Sequence, residues 1–188
     1  MLAFCLALID EPSDKEKFQI IHDNYKETMY YKAMSILHNK ALADEVVQES
    51  LLKIAKHIQK ISQPVCSKTL SFIVIIVRHT ALDKIKVEHP EYSSTSMDDA
   101  SKYYEYEDKS VPNIEEIVTD NGYNNVIDAI SELDVIYSDT LKLKFVYGYS
   151  NNEISEILGI SLKTTEMRIY RGRKKLKTLL EERGYAIK

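Results

Sequence analysis

The sequence has few of the residues that force turns or build metal and disulfide sites. Its 188 residues include five glycines, four prolines, two cysteines and no tryptophan. Scarce glycine and proline favour helices over a fold of many short strands. The two cysteines, Cys5 and Cys66, form no CxxC pair and have no zinc-ligand spacing. We therefore predict no metal, no cofactor and a reducing, cytoplasmic environment.

Membrane and enzyme signatures are missing as well. The apolar runs Met1–Ile9 and Leu70–Val77 are too short to cross a bilayer, so no membrane insertion is expected. The sequence has no phosphate-cradling glycine loop, no nucleophile motif and no metal box. Hydrophobic residues make up 44% of the chain, which is enough to build a core. These features predict a globular protein that is not an enzyme.

Charge is distributed unevenly along the chain, whose net charge is −4. Residues 161–188 hold nine lysines and arginines against three glutamates, whereas residues 88–120 hold ten acidic residues against two lysines. The C-terminal end is therefore basic enough to meet phosphate. The acidic middle, residues 91–124, is predicted to be a flexible linker, with a short helix near Ile114–Val118. The negative charge of this segment favours a tether that keeps the protein soluble. The alternative is that the segment mimics DNA and competes with it for a basic groove.

Apolar residues recur at three- or four-residue steps in three segments before residue 90, which predicts three amphipathic helices. Asn39 is predicted to cap the second helix and Pro64 to end it. The run Phe72–Val77 would also suit a buried strand, but the helical period continues to Ile85. The three stripes are Phe18, Ile21, Tyr25, Met29, Ala33 and Ile36; Val46, Val47, Leu51, Ile54, Ile58 and Ile61; and Leu70, Val74, Val77, Ala81 and Ile85.

The clearest local pattern begins at Ser150. Ser150 and Glu153 have the spacing of a capping box, Gly159 suits a left-handed helix end, and Ser161 can cap a following helix. This order predicts a helix-turn-helix. The apolar residues that come before it predict two short helices over residues 126–133 and 141–146. The second helix of the motif has an inward stripe of Thr165, Ile169, Gly172, Leu176 and Leu179.

The outer face of that second helix is cationic, which predicts DNA binding in a major groove. Arginine can donate two hydrogen bonds to guanine, and lysine can meet phosphate. A solvated charged face on an ordinary helical hairpin is the alternative. The predicted DNA-binding residues of this helix are Lys163, Thr164, Arg168, Arg171, Arg173, Lys174 and Lys175.

These C-terminal residues resemble the fourth conserved region of bacterial sigma factors of the sigma-70 class, in the small two-domain form called extracytoplasmic-function type. The resemblance implies contact with the upstream, minus-thirty-five promoter element. It is carried by Glu153–Ser161 and by Thr164, Thr165, Arg168, Ile169, Arg171, Gly172, Arg173 and Leu176.

The N-terminal half is similar to the second region of the same family. Ala43–Glu49 resembles the family's Ala-Glu-Asp…Gln-Glu signature, with the first two acids exchanged. The resemblance implies that this acidic helix docks on the largest subunit of RNA polymerase through Asp44, Glu45, Gln48 and Glu49. Arg78–Asp83 resembles the segment that precedes minus-ten recognition, which implies that Arg78, Lys84 and Lys86 lie near DNA.

Four positions depart from the family pattern. Phe72 stands where the family usually has Trp, and His79 stands where it usually has Asn. Glu166 occupies a position of the recognition helix that is commonly basic. Gly172 replaces the usual Ala, which should cost the helix about 1 kcal/mol unless it permits a close helix crossing.

We therefore predict an all-α sigma factor that directs core RNA polymerase to specific promoters. Its domains are a helical docking domain over residues 1–90, the acidic linker over 91–124 and a helix-turn-helix domain over 125–188. The implied partners are core RNA polymerase and promoter DNA, with an anti-sigma factor as a further candidate. Two alternatives are open: a free-standing helix-turn-helix regulator, and a helical adaptor that binds polymerase without reading DNA.

Overall fold

The computed structural model describes residues 2–88 and 122–185, and every regular element within these ranges is a helix. The prediction of an all-α fold is therefore confirmed. The chain divides into two compact units: residues 2–88 belong to the first, and nearly all of residues 122–185 belong to the second. The predicted acidic linker and its short helix at Ile114–Val118 fall almost entirely outside the described residues.

The first unit is built on three long helices that pack pairwise against one another. Helix α1 spans Leu2–Ala7, α2 spans Pro12–Leu37, α3 spans Lys40–Lys56 and α4 spans Ser67–Glu88, with a 3₁₀ turn at Ile58–Lys60. Pro12 lies in the first turn of α2, where its missing N–H leaves no helical hydrogen bond unmade. The side chain of Asn39 accepts a hydrogen bond of 3.3 Å from the backbone N–H of Leu42, which confirms the predicted cap of α3.

Helix α3 ends at Lys56 and not, as predicted, at Pro64. The six predicted apolar residues from Val46 to Ile61 are all buried nevertheless. A 3₁₀ turn can keep Ile58 and Ile61 on the inner side of the chain because residues three apart eclipse each other in such a turn. The spacing of apolar residues alone therefore does not distinguish one longer α-helix from an α-helix that is followed by a 3₁₀ turn.

Helix α4 confirms the choice of helix over strand, but its buried face matches the predicted one only at Val77 and Ala81. Leu70 is 36% exposed, and Val74 and Ile85 are only half-buried. With seven apolar or aromatic residues among the eight positions 70–77, several stripes fit the helical period equally well. Packing against α2 and α3 selects the face that carries Thr69, Phe72, Ile73, Ile76 and Thr80.

Four helices lie in residues 122–185, the part of the second unit that the structure describes. Helix α5 spans Tyr123–Glu132, α6 spans Val135–Leu141, α7 spans Asn151–Leu158 and α8 spans Leu162–Glu182. Helix α6 packs along α8, and α5 contacts both. An ion pair between the Arg183 guanidinium and the Glu132 carboxylate ties the end of α8 to the end of α5.

A π-helical turn over Lys142–Val146 follows α6 directly. Such a turn holds more residues than an α-helical turn, so it rotates the side chains after it relative to the α-helical period. As a result Leu143 is buried, whereas Phe145 and Val146 are half-buried. The Nζ atom of Lys144 donates a 2.9 Å hydrogen bond to Oδ1 of Asn151, which joins the π turn to the start of α7.

Candidate protein-docking and nucleic-acid interfaces

Four polar side chains form one exposed strip on α3, which we name the acidic face: Asp44, Glu45, Gln48 and Glu49. At about 100° per residue, these positions lie within roughly 140° of one another around the helix. The opposite side of α3 is buried and anchors the helix in the bundle through Ala43, Val46, Val47, Ser50, Leu51 and Ile54. The prediction that these four residues lie on one side of the helix is confirmed.

The structure places Lys84, predicted to lie near DNA, against the acidic face. Its Nζ atom lies 3.1 Å from Oε2 of Glu45 and 3.7 Å from Oε2 of Glu49. The hydrogen bond to Glu45 raises the pKa of the Lys84 ammonium group. Sequence analysis missed this contact because Lys84 and Glu45 are 39 positions apart, and no local pattern joins them.

The three N-terminal cations predicted near DNA do not form one surface. Lys86 is exposed and lies 3.2 Å from Oδ1 of Asp83, whereas Arg78 is half-buried. Lys84 and Lys86 point in directions about 160° apart around α4. His79 and Phe72 are buried, at 6% and 2% exposure, so these two departures from the family pattern lie in the interior of the unit.

The start of α7 has the predicted capping box. The backbone N–H of Glu153 donates to Oγ of Ser150 at 3.3 Å, and the backbone N–H of Ser150 donates to Oε2 of Glu153 at 2.8 Å. The pair satisfies two amide donors that a helix start leaves unbonded. The apolar side of α7 is fully buried through Ile154, Ile157 and Leu158.

The turn between α7 and α8 also matches the prediction. Gly159 has a φ of +65°, a left-handed conformation that suits a residue without Cβ. Oγ of Ser161 then accepts a 3.0 Å hydrogen bond from the backbone N–H of Thr164, which caps α8. The two hydroxyl oxygens of Ser161 and Thr164 are 2.8 Å apart, so Thr164 takes part in the cap as well. A helix-turn-helix motif is thereby confirmed.

Helix α8 packs inward along the predicted stripe with one change. Thr165, Ile169, Gly172 and Leu176 are buried, but the last inward residue is Leu180, and Leu179 is half-buried. Leu179 and Leu180 are three and four positions after Leu176, and both positions lie on the same side of a helix as Leu176. Spacing alone therefore could not predict which of the two leucines is buried. Met167 is also buried, at 6% exposure, although it lies on the opposite side of α8 from Thr165.

Of the seven predicted DNA-binding residues of α8, those pointing farthest from Thr165 are Lys163, Arg171 and Lys174. Lys163 and Lys174 are exposed, and Arg171 is half-buried. Thr164 and Arg168 lie beside this group and are half-buried. We name these five residues the outer face of α8. Glu166 is half-exposed on one flank of it.

Of the other two predicted residues, Lys175 is exposed but contacts its own unit, and Arg173 is half-buried. Nζ of Lys175 lies 3.6 Å from Oδ2 of Asp134 and 5.3 Å from the centre of the Tyr137 ring, so it contacts α6 and the residue before it. The Nε atom of Arg173 is buried. The contacts of Lys175 join residues distant in sequence, so the charge pattern of α8 could not indicate them.

None of the helices in residues 2–88 and 122–185 has the length and apolar character needed to cross a membrane. Within the same two ranges, no group of three or more His, Cys, Asp or Glu side chains is placed to hold a metal ion.

Comparisons with known protein families match both units. Residues 21–89 match the family described as Sigma-70 region 2, which covers most of α2 together with α3 and α4. Residues 123–176 match Sigma-70, region 4, which covers α5 to α7 and most of α8. Together the two matches span more than half of the chain and place each candidate surface within a matched region.

Individual relatives share between a quarter and a third of their aligned residues with this chain. The chain is 25% identical over 173 residues to the ECF RNA polymerase sigma factor SigW of Bacillus subtilis, covering 90% of this chain and 91% of the relative. It is 28% identical over 145 residues to the RNA polymerase sigma factor SigZ of the same species, covering 77% and 76%. Among solved structures, the sigma factor RpoE of Bartonella quintana, crystallised with the anti-sigma factor NepR, matches 85% of this chain and 94% of that chain. Its TM-score of 0.32 and identity of 16% are too low to support an argument.

Proposed function

Since the chain belongs to the sigma-70 family of RNA polymerase sigma factors, in its two-domain extracytoplasmic-function form, we propose that two separate surfaces perform its work. The acidic face of α3 binds core RNA polymerase, and the outer face of α8 binds the upstream promoter element. As a sigma factor, the protein directs core RNA polymerase to specific promoters, where transcription begins. Sigma factors are non-catalytic initiation factors, and we propose no catalytic centre for this chain.

The observation that carries the docking proposal is the placement of four hydrogen-bonding side chains on the solvent side of a firmly anchored helix. The carboxylates of the acidic face accept hydrogen bonds, and the amide of Gln48 both donates and accepts. Because α3 is buried along its opposite side, the face is held on a rigid element before a partner arrives. A preorganised surface loses less conformational entropy on binding.

The DNA-binding proposal is supported by the capped turn between α7 and α8. Ser161 fixes the first turn of α8, where a recognition helix presents its base-contacting residues. Lys163 and Lys174 then lie exposed on the outer face, 11 positions apart, with Arg171 between them. This arrangement suits a helix that meets phosphates at several points and reads bases with arginine.

We propose the domain boundaries that the charge pattern predicts, at residues 1–90, 91–124 and 125–188. The family matches at residues 21–89 and 123–176 support the two ends of this division. In this arrangement the acidic linker sets the distance between polymerase and the upstream element. An anti-sigma factor stays a candidate partner, and these surfaces are where such an antagonist would compete.

The proposal is tested by transcription reconstituted with core RNA polymerase and a promoter selected by the wild-type chain. Arg171→Ala/Lys174→Ala should reduce transcription and weaken promoter binding by the holoenzyme, with little change in core binding. Asp44→Ala/Gln48→Ala should reduce transcription by lowering core binding. Glu16→Ala/Gln59→Ala, two exposed positions elsewhere in the first unit, is the matched control.

Each alternative predicts a different result. A free-standing regulator would bind its DNA tightly without polymerase and would be unaffected by Asp44→Ala/Gln48→Ala. An adaptor that never reads DNA would tolerate Arg171→Ala/Lys174→Ala. Either result would contradict the proposed division of labour between the two surfaces.

A further inference from the structure

We infer that Lys84 is a positioning residue of the polymerase-docking face, which holds the carboxylates of Glu45 and Glu49 in place from the neighbouring helix. This inference rests on the proposed docking role of the acidic face. It replaces the expectation, drawn from sequence alone, that Lys84 contacts DNA. The three residues form one cluster between α3 and α4.

The geometry of the cluster is a bridge between helices. The Nζ atom of Lys84 reaches from α4 to Oε2 of Glu45 at 3.1 Å and to Oε2 of Glu49 at 3.7 Å. The Lys84 side chain is 29% exposed, whereas those of Glu45 and Glu49 are 57% and 49% exposed. The ammonium group therefore lies closer to the bundle, and the carboxylates lie farther out.

The charges explain why a cation is useful at this place. Glu45 and Glu49 are four positions apart on one helix, where two like charges repel each other. A cation between them removes this repulsion and reduces the number of side-chain rotamers that each glutamate populates. The raised pKa of Lys84 has the same cause, since its hydrogen bond to Glu45 favours the charged ammonium form.

The bridge leaves the carboxylates able to bind a partner. An ionised carboxylate has about four acceptor positions, and Lys84 occupies one position on each glutamate at most. The remaining acceptor positions are on groups that are about half exposed. The acidic face therefore offers polymerase two carboxylates whose orientation is set in advance, beside Asp44 and Gln48.

Lys86 provides a natural comparison because it is the same residue type two positions along α4. It is exposed and pairs with Asp83 on its own helix, not with the acidic face. Both lysines were expected near DNA. Removing either charge changes the net charge of the protein equally, so a difference between the two variants reports on the cluster itself.

The test measures the affinity of the full-length chain for core RNA polymerase at low and high salt. Lys84→Gln should weaken binding about two- to five-fold at low salt, the range expected for exposed ion pairs, and less at high salt. Lys84→Arg should restore most of the affinity, since guanidinium also donates to two carboxylates. Lys86→Gln should bind core polymerase as the wild type does.

A second comparison separates positioning from a general effect on folding. In the background Glu45→Gln/Glu49→Gln, the further change Lys84→Gln should have no effect on core affinity, because Lys84 acts through these two carboxylates. A further loss in that background would overturn the inference. So would wild-type core affinity for Lys84→Gln combined with a defect in promoter opening that Lys86→Gln shares, which would identify Lys84 as a DNA contact.

The docking proposal fails separately, through Asp44→Ala/Gln48→Ala, which leaves the Lys84 cluster untouched. If that variant binds core polymerase as the wild type does, the proposed docking face is wrong and the inference falls with it. If that variant loses binding and Lys84→Gln does not, only the role of Lys84 is overturned.

Discussion

At the scale of single residues, the start of α7 depends on two reciprocal hydrogen bonds between Ser150 and Glu153. Replacing Ser150 with Ala removes one acceptor and leaves the backbone N–H of Glu153 without its partner. We expect Ser150→Ala to lower the free energy of unfolding of the second unit by about 1 kcal/mol, the usual cost of losing such a cap. Urea unfolding followed by circular dichroism measures this loss.

Ser155→Ala is the matched control for this prediction. Its hydroxyl donates a 2.7 Å hydrogen bond to the carbonyl oxygen of Asn152 within the same helix, and it caps nothing. We expect Ser155→Ala to change stability by less than about 0.5 kcal/mol. Equal losses for the two serines would show that the capping box contributes nothing specific.

Single-residue features were predictable where their partners are close in sequence. Each cap at Asn39, Ser150 and Ser161 joins a side-chain oxygen to the backbone N–H three positions later. Because both partners lie in one short segment, the local sequence was enough to predict each cap. The bridge from Lys84 to Glu45 and the contact of Lys175 with Asp134 join residues 39 and 41 positions apart. Their existence depends on how whole helices pack, which no local pattern contains.

At the scale of the elements, α6 and α8 approach closely where Gly172 faces Leu141. A Cβ atom built on Gly172 would lie 3.2 Å from both Cγ and Cδ1 of Leu141, which is itself fully buried. Alanine would improve the helix propensity of α8 by about 1 kcal/mol, but overpacking a buried contact costs about 1–3 kcal/mol. We expect Gly172→Ala to destabilise the second unit by about 1 kcal/mol net.

A double-mutant cycle with Leu141→Val locates the cause. The smaller side chain makes room for the new methyl group, so Leu141→Val should cost less in the Gly172→Ala background than in the wild type. Urea unfolding supplies all four free energies. A stabilisation by Gly172→Ala of about 1 kcal/mol would mean that helix propensity alone governs this position, and that the glycine has no role in the helix crossing.

The helical type of the described elements was predictable, but helix α1 was missed and the inner faces of the other helices were only partly predicted. Every described element is helical, as the scarcity of glycine and proline indicated. Seven of the eight residues in the run Leu70–Val77 are apolar, so packing alone selected the buried face of α4. The π turn at Lys142–Val146 shifted the side chains that follow α6, and the apolar pattern of this segment did not predict it.

At the scale of the whole molecule, acidic and basic residues are concentrated in different segments of the chain. Residues 88–120 carry eight more acidic than basic residues, and residues 161–188 carry six more basic than acidic ones. We expect this negative segment to compete with DNA phosphate for the cations of the second unit, because both carry negative charge. The acidic linker should therefore weaken promoter binding by the full-length protein when salt is low.

Neutralising the middle of this segment tests the effect. We expect a full-length variant with its acids replaced by the corresponding amides to bind promoter DNA more tightly at low salt, with the gain disappearing at high salt. Fluorescence anisotropy with labelled DNA measures both conditions. Affinity equal to that of the wild type at low salt would show that the linker charge does not oppose DNA binding. The replaced acids are Asp98, Asp99, Glu105, Glu107 and Asp108.

The central claim is that the acidic face of α3 joins this sigma factor to polymerase, and titration of core RNA polymerase tests it most directly. Asp44→Ala/Glu45→Ala/Gln48→Ala should bind core polymerase at least about ten-fold more weakly than the wild type, since each truncated contact is worth roughly 1 kcal/mol. The control Glu16→Ala/Glu27→Ala/Gln59→Ala, which removes the same groups from exposed positions elsewhere in the first unit, should bind normally. Equal binding by both triple variants would contradict the account and would leave the helix-turn-helix as the only functional surface identified.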